Sequence, residues 1–478
     1  MLNYIWLGLM LGAVLIGGWN GQLKEVADKS FEMADLAVVK ISFSLIGVMA
    51  LWLGIMRLAE RSGLVALLAR ALRPLMRRIF PDVPPEHPAM GSMLMNIAAN
   101  MLGLGNAATP LGLRAMKDLE SLNRFPGTAT NAMCTFLAIN TSGIQLIPVT
   151  AIAILAANKS TDPTAIVGTS IICTFCACTS GVLMAKLLSH LPAFRLAAAG
   201  EIAAREKMPD ATGENPAEQK TVVKEAATLQ PLRWWGKIVI FSFCSFFIVL
   251  FVRLAFPEQW GLFAGFICRL WECVFGKNSL WLCAALMANP NSAENQNLFI
   301  RLVSAVSKLS IPFLLSAFPL YAALRRVKVY EEFVEGAKEG FDVAIRIIPY
   351  LVAMLVAVGM FRAAGGIDLL SRALSPVLNL VGFPTDLLPM VLVRPLSGSG
   401  SLGFFTELVK QFGPDSLIAR MAGTIYGSTE TTFYVLAVYF GSVAVKRTRH
   451  AVLAGLTADL VSVIVAVIVC RAMFGRAN

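Results

Sequence analysis

The chain has 478 residues, of which 56% are hydrophobic and 15% are charged, against about 25% charged in a typical soluble domain. This composition argues against a water-soluble protein, and the apolar runs lack the alternation of apolar and polar residues that is typical of β-barrel strands. The net charge of +11 comes from basic residues beside the apolar runs, which favours a cytoplasmic-face bias over nucleic-acid binding.

Apolar segments long enough to cross a membrane recur along the chain. About 20 residues of helix cross the roughly 30 Å of hydrocarbon in a bilayer. The first segment is short, but no lysine or arginine precedes it and no small-residue cleavage pattern follows it, so we expect a retained span rather than a secretory signal. The predicted spans are residues 5–18, 36–58, 164–188, 238–254, 298–324, 343–360 and 452–470.

A polar stretch near the middle divides the chain into two membrane halves. Residues 196–233 are polar and poor in aromatic side chains, so they cannot bury a core, and we predict a flexible cytoplasmic linker there. The predicted first half covers residues 1–195 and the predicted second half covers residues 298–478. An extra hydrophobic stretch at 234–297 separates the linker from the second half.

The two halves repeat one another. LLARALRP at 67–74 matches LLSRALSP at 369–376 in six of eight positions, and each copy follows an apolar span and precedes a glycine-broken polar segment. Six arginines within 57–78 follow the second span of the first half, whereas three basic residues within 325–328 precede its equivalent. Because lysine and arginine favour the cytoplasmic side, these spans are predicted to run in opposite directions, as in inverted repeats. That arrangement needs an odd number of crossings between residues 234 and 290.

Each half contains two polar segments broken by glycine or proline within apolar sequence. Irregular backbone at membrane depth is tolerated only where it is buried in protein or lines a water-filled cavity. Paired breaks at corresponding positions of two repeats indicate a transporter's binding site. We therefore predict re-entrant hairpins or broken helices at NMLGLGNAATPLG from Asn100, AINTSGIQLIP from Ala138, RPLSGSGSLG from Arg394 and IYGSTETTFYV from Ile425.

The side chains around these breaks are mostly amides and hydroxyls, which both donate and accept hydrogen bonds and suit a small polar solute. At any single position, a contact between packed helices is an equally good explanation of such residues. The candidate binding residues are Asn100, Asn106, Thr109, Asn140, Thr141, Ser142, Gln145, Arg394, Ser397, Ser399, Ser428, Thr429, Glu430 and Thr431.

Two of these candidates are ionisable. A charge at membrane depth costs several kcal/mol unless it is paired or hydrated, so Arg394 and Glu430 are functional candidates. One interpretation is a structural ion pair between them. In the other, Arg394 holds a carboxylate or phosphate of the solute, and Glu430 binds a coupling H+ or Na+.

The sequence offers little that is typical of an enzyme or of a metal site. His87, His190 and His450 lie outside the polar breaks, so no nucleophile, base and acid come together. The spacing of Cys173, Cys176 and Cys178 resembles a metal site, but no second pair or nearby histidine completes four ligands. We expect no catalytic residues, no metal and no cofactor apart from a coupling ion.

These motifs are similar to those of a known family. FPDVPPEHPAMG from Phe80, NMLGLGNAATPLG from Asn100 and FLAINTSGIQLIP from Phe136 resemble spore maturation protein A. EEFVEGAKEG from Glu331, RPLSGSGSLG from Arg394 and YGSTETTFYVLAVYFG from Tyr426 resemble spore maturation protein B. The resemblance implies a fusion of the two and a nucleoside-recognition, or gate, domain similar to parts of concentrative nucleoside transporters and of ferrous-iron transporter membrane cores.

Together these features predict an all-α integral membrane protein of the cell (inner or cytoplasmic) membrane. Its two homologous, inverted repeats would contain broken helices in an architecture related to concentrative nucleoside transporters. We expect a permease for a small polar solute, either anionic or nucleoside-like, that also contacts membrane lipids and binds no nucleic acid; homo-oligomers are left open. The alternatives are a non-transporting membrane scaffold or regulator, and a membrane-embedded enzyme that acts on a lipid-linked substrate.

Overall fold

The computed structural model describes residues 2–194, 233–257, 259–260, 297–366, 369, 372 and 383–475, in which helices are the regular elements. The α-helices of the first half are α1 (Leu2–Trp19), α2 (Leu23–Asp35), α3 (Phe43–Arg61), α4 (Leu64–Ile79), α5 (Pro88–Met101), α6 (Gly105–Glu120), α7 (Asn131–Thr141), α8 (Val149–Ala157) and α9 (Ile166–Ser189). Those that follow are α10 (Trp234–Ala255), α11 (Leu298–Leu324), α12 (Val329–Ala363), α13 (Leu388–Val393), α14 (Gly398–Phe412), α15 (Leu417–Ser428), α16 (Thr432–Gly441) and α17 (Ala451–Phe474).

Four of these helices, α9, α10, α11 and α17, are long and apolar enough to cross a membrane by length and composition. They coincide with the apolar segments predicted at 164–188, 238–254, 298–324 and 452–470. Shorter apolar helices, Trp6–Trp19 and Leu351–Ala363, cover most of the first predicted span and part of the 343–360 span.

The span predicted at 36–58 is divided in the structure. Its first residues form a π-helix, Leu36–Ser42, and the rest belongs to α3, which continues beyond the prediction to Arg61. Arg57, Glu60 and Arg61 make the end of α3 charged. Most of the predicted linker, the remainder of the extra hydrophobic stretch and most of the LLSRALSP repeat lie outside the described residues.

Helices α3 and α12, which occupy corresponding places in the two halves, pack closely against each other. A Cβ on Gly340 would lie 2.5 Å from the Ala50 Cα, and one on Gly336 would lie 2.6 Å from the Leu53 carbonyl oxygen. Glycines let two helix backbones approach in this way, as small residues do in membrane-helix pairs. The Arg57 Nε also donates to Glu332 Oε2 over 2.8 Å, so the contact ends in an ion pair between the halves.

The last helices of the two halves, α9 and α17, form a second close contact. A Cβ on Gly181 would lie 3.1 Å from the Ala458 Cβ. The Thr169 and Thr424 hydroxyls are 2.8 Å apart and connect α9 to α15. Helices α3 and α12 meet across the two halves, as do α9 and α17, and the polar breaks lie among helices that belong to both halves.

A short backbone joint also connects the halves. The Lys446 N–H donates to the Gly127 carbonyl over 2.9 Å, and the Ala129 N–H donates to the Arg447 carbonyl over 3.0 Å. His450 is fully buried beside this joint, and neither of its ring nitrogens has a hydrogen-bond partner among the described residues. Burial and the neighbouring Arg449 charge lower the pKa of His450 to about 4.

Replacing Gly340 with alanine should destabilise the protein, because the added Cβ meets the Ala50 backbone, which cannot move away as a side chain can. Overpacking of this kind costs about 1–3 kcal/mol. The free energy of unfolding in detergent measures the effect. Gly47→Ala is the matched control: it lies in α3, where a Cβ would meet nothing within 4 Å, and it should leave stability unchanged or slightly raised. Equal stability of the two variants would contradict the close contact.

Acid should destabilise the fold through His450. Its pKa in the folded protein is about 4, and that of an unfolded histidine is about 6.5, so the unfolded chain binds the proton first. The stabilisation is complete above about pH 6.5 and is lost as the pH falls towards 4, with an upper limit of about 3 kcal/mol. His450→Phe, which cannot titrate, should flatten the pH dependence of unfolding over this window, whereas His190→Phe at an exposed position should not.

Candidate functional site

All four predicted breaks are interruptions between helices. The first, at 102–104, separates α5 from α6, and the second, at 142–148, separates α7 from α8. The third, at 394–397, separates α13 from α14, and the fourth, at 429–431, separates α15 from α16. Polar residues in and beside these breaks, such as Thr141 and Thr429, are buried in protein, as irregular backbone in an apolar chain requires.

Within each half, the two breaks are held together by a backbone hydrogen bond at a corresponding place. In the first half, the Leu146 N–H donates to the Met101 carbonyl over 3.0 Å. In the second half, the Phe433 N–H donates to the Pro395 carbonyl, also over 3.0 Å. The similarity of the halves therefore extends to how backbone groups released by each interruption are satisfied.

A direct contact joins the second break, in the first half, to the fourth break, in the second half. The Glu430 N–H donates to the Thr141 carbonyl over 3.1 Å. Gly143 has φ +55°, and a Cβ on it would lie 3.0 Å from the Thr429 carbonyl carbon. Glycine is required here both for the left-handed backbone and for the close approach. The Thr174 hydroxyl on α9 donates to the Gly143 carbonyl over 3.2 Å and completes the turn.

Arg394 holds the third and fourth breaks together. This residue is 5% exposed. Its Nε donates to Thr429 Oγ1 over 3.0 Å, and its Nη2 donates to the carbonyls of Tyr426, over 2.8 Å, and of Thr429. Its Nη1 lies 3.4 Å from the Ser401 hydroxyl, and its guanidinium carbon lies 4.3 Å from the centre of the Tyr426 ring. The guanidinium is thus surrounded by partners within the protein.

Glu430 faces the first half. The Gln145 Nε2 donates to its Oε1 over 3.0 Å, and the residue is partly exposed. Among the described residues, no ion pair joins Glu430 to Arg394, whose donors point to the backbone and hydroxyls around it. The structural ion pair considered from the sequence is therefore not the arrangement in this structure.

The amides of the first half form a second polar cluster. The Asn100 Nδ2 donates to Asn140 Oδ1 over 2.9 Å, which links the first break to the second. The Asn140 Nδ2 donates in turn to the Phe136 carbonyl. Asn96 is fully buried, and its Nδ2 donates to the Ala108 carbonyl and lies 3.3 Å from the Tyr439 hydroxyl. Its Oδ1 has no partner among the described residues, which leaves one acceptor inside the protein.

The hydroxyls at the breaks mostly support the backbone. Thr141, Ser142 and Ser428 each donate to a carbonyl of their own helix. Ser397 caps α14 by accepting from the Gly400 N–H over 2.9 Å. These four residues have local structural roles, which is the alternative that their residue types left open.

Of the four remaining candidates, Ser399 and Thr431 belong to the same region and Thr109 does not join it. Ser399 lies 3.4 Å from the Ser397 hydroxyl, and Thr431 Oγ1 would lie 3.0 Å from a Cβ on Gly398. Thr109 lies on α6 and has no hydrogen bond to another candidate in the described part of the chain. The side chain of Asn106 lies outside the described residues, although its backbone belongs to α6.

Asp459 is a buried carboxylate outside the motifs from which the site was predicted. It lies in α17 and is 6% exposed; the Thr432 hydroxyl donates to its Oδ2 over 2.6 Å. The 452–470 segment was interpreted only as an apolar span, although a single carboxylate in such a span is itself a signal of function. Glu407 is also buried, and it pairs with Arg362 over 2.5 Å. It lies in α14, just beyond the glycine-broken segment that was used to choose the candidates.

Comparisons with known proteins agree with the predicted family. The chain matches the Gate family, described as nucleoside recognition, over residues 42–189 and 344–446, which together make more than half of the chain. Spore maturation protein B of Bacillus subtilis (strain 168) is 43% identical over 178 residues, which are 37% of this chain and 100% of that relative. Spore maturation protein A of the same organism is 48% identical over 174 residues, which are 36% of this chain and 88% of that relative. No solved structure matches the chain.

Several apolar helices and the family match make this a multi-pass membrane protein. Each relative covers about a third of the chain, as expected of a fusion. The chain therefore belongs to the Gate family, and it combines in one polypeptide regions similar to spore maturation proteins A and B.

Proposed function

We propose that this protein is a secondary transporter of the cell (inner or cytoplasmic) membrane that moves a small polar solute by alternating access. The observation that carries the proposal is the meeting of helix breaks from both halves through the Glu430 to Thr141 hydrogen bond. Binding sites of secondary transporters lie at the interface of two repeats and are formed by interrupted helices. The proposal includes an inverted relation between the repeats, which the basic residues at their ends support.

The proposed solute is nucleoside-like. Asn100, Asn140, Gln145 and Glu430 supply amide donors and acceptors and one carboxylate from both halves. Such groups suit sugar hydroxyls and the polar edge of a base, and the family is described as nucleoside recognition. An anionic solute is less favoured, because the described partners of the Arg394 guanidinium are groups of the protein itself.

In this proposal Glu430 has the central role. It is partly exposed, it belongs to the second half, and the Gln145 amide of the first half holds it. A movement of one half against the other would break or remake this contact, and a bound H+ or Na+ would change the charge of the carboxylate. The site performs no covalent chemistry on the solute in this scheme, so the protein is proposed to be a carrier and not an enzyme.

A non-transporting scaffold is the second candidate. It is favoured by the hydrogen bonds that Arg394 and the hydroxyls at the breaks make to carbonyls of the protein itself. Uptake of radiolabelled uridine and adenosine by proteoliposomes distinguishes the two candidates. Transport predicts accumulation that depends on a pH or sodium gradient and exceeds that of protein-free vesicles. If proteoliposomes take up both nucleosides no faster than protein-free vesicles, and the protein still shows a cooperative unfolding transition, the scaffold is favoured.

Glu430→Gln should abolish the dependence of uptake on the pH or sodium gradient, because glutamine cannot change charge. Glutamine preserves the size of the side chain and can still bond to Gln145. Glu335→Gln is the control, since Glu335 is exposed on α12 and pairs with Lys338 in its own helix. Gradient-dependent uptake that is unchanged in Glu430→Gln proteoliposomes would eliminate this role.

Arg394→Gln should destabilise the protein by about 3 kcal/mol, because it removes charge-assisted hydrogen bonds and leaves buried carbonyls without a donor. Chemical or thermal unfolding in detergent measures this loss. Arg114→Gln provides the comparison at an exposed arginine and should change stability by less than about 0.5 kcal/mol. If Arg394→Gln were as stable as Arg114→Gln, the hydrogen bonds of Arg394 would not stabilise the contact between the third and fourth breaks.

A further inference from the structure

Asp459 is a buried acid that the proposed solute site does not use. It is 6% exposed within α17, one of the helices long and apolar enough to span a membrane. Its Oδ2 accepts from Thr432, whereas its Oδ1 has no hydrogen-bond partner among the described residues. A buried carboxylate normally has both oxygens satisfied, so this acid lacks something that an ionised group needs.

The surroundings of Asp459 are closely packed. One turn earlier in α17, a Cβ on Gly455 would lie 2.9 Å from Thr432 Cγ2 and 3.0 Å from Thr141 Oγ1. On the neighbouring residue, the Ala458 Cβ lies 3.1 Å from where a Cβ on Gly181 of α9 would be. This packing leaves little room for the water shell that stabilises a carboxylate in solution.

The nearby charges do not balance if every acid is ionised. Glu430, between α15 and α16, and Arg394, between α13 and α14, are the described charged groups that act electrostatically on Asp459. The described neighbours of α17 at this level are Thr141 of α7, Thr432 of α16 and Gly181 of α9, and all three are neutral. One guanidinium and two carboxylates carry a net negative charge, and burying an uncompensated charge is strongly unfavourable.

We infer that Asp459 is a proton-binding site: at neutral pH it holds a proton, which it can exchange with the polar region around Glu430. Protonation removes the uncompensated charge and leaves one ionised acid opposite Arg394. The hydrogen bond from Thr432 fixes one oxygen, so the proton is carried on Oδ1.

The proton belongs to Asp459 rather than to Glu430 for two structural reasons. Glu430 is partly exposed, and its carboxylate accepts from the Gln145 amide, which supports the ionised form. Asp459 is more deeply buried and accepts from one hydroxyl only. The greater exposure of Glu430 and its amide donor therefore favour ionisation of Glu430 over ionisation of Asp459.

This inference deepens the proposed function, on which the use of the proton for transport rests. Release of the proton would give Asp459 a negative charge beside Glu430 and Arg394 and change the forces between the breaks. Asp459 would then act as a proton store next to the solute site. The presence of the proton itself can be measured whether or not the protein transports anything.

Infrared spectroscopy of the full-length protein in lipid tests the inference. The expected result at neutral pH is a carboxylic-acid C=O band that shifts when aspartate is labelled with ¹³C and disappears in Asp459→Asn. Asp415→Asn is the matched control and should keep the band. Burial opposes ionisation of Asp415, but hydrogen bonds from Ser160 and Thr161 and the Arg420 charge outweigh it and lower its pKa, so it is ionised at neutral pH.

A second variant covers the case in which Asp459→Asn does not fold. Thr432→Val removes the hydroxyl that donates to Asp459, so the same band should remain but move in frequency. The inference is overturned if the wild-type protein shows no aspartic-acid band at neutral pH, if the band persists in Asp459→Asn, or if Thr432→Val leaves its frequency unchanged. If wild-type proteoliposomes show no uptake but the infrared band is present, the transport proposal is overturned and the proton-binding site stands.

Discussion

The structure depends on how interrupted helices satisfy their backbone groups without water. Each interruption releases N–H and C=O groups, and in an apolar chain these must find partners within the protein. The Leu146 to Met101 and Phe433 to Pro395 bonds satisfy them within each half, and the Glu430 to Thr141 bond does so between halves. Once the breaks satisfy one another, they must lie side by side. The same requirement that makes the breaks tolerable therefore collects their polar side chains in one region.

The two halves contribute different chemistry to that region. The first supplies the neutral amides of Asn100, Asn140 and Gln145, whereas the second supplies the charges of Arg394 and Glu430. Neutral amides can bond to one another and to a solute without a change of charge. Buried charges need compensation, so they fix the backbone around them, as Arg394 does for the fourth break. The first half therefore supplies neutral polar groups to this region, and the second half supplies charged ones.

Much of this arrangement is visible in the sequence, because glycine and proline within apolar sequence are local signals. They located all four breaks, and composition located four of the long apolar helices. Partners that are distant in the chain are not local signals, which is why the Arg394 bonds and the contact of Gly143 with Thr429 could not be predicted. Hydropathy likewise does not reveal that the 36–58 segment begins as a π-helix or that an ion pair lies near the end of α3. Asp459 was visible as a lone acid in an apolar span, but its partner Thr432 was not.

The joining of both halves in one chain has a physical consequence for the site. Neither half alone contains both sets of groups: Gln145 and Glu430 meet only when the halves pack, as do Arg57 and Glu332. Regions that resemble two separate relatives are here connected covalently, so their encounter is intramolecular and does not depend on protein concentration. The glycine contact between α3 and α12 and the contact between α9 and α17 then fix their relation on both sides of the breaks. The Glu430 N–H has the Thr141 carbonyl as its acceptor, so separating the halves would leave irregular backbone unsatisfied. The same hydrogen bonds therefore stabilise both the site and the association of the halves.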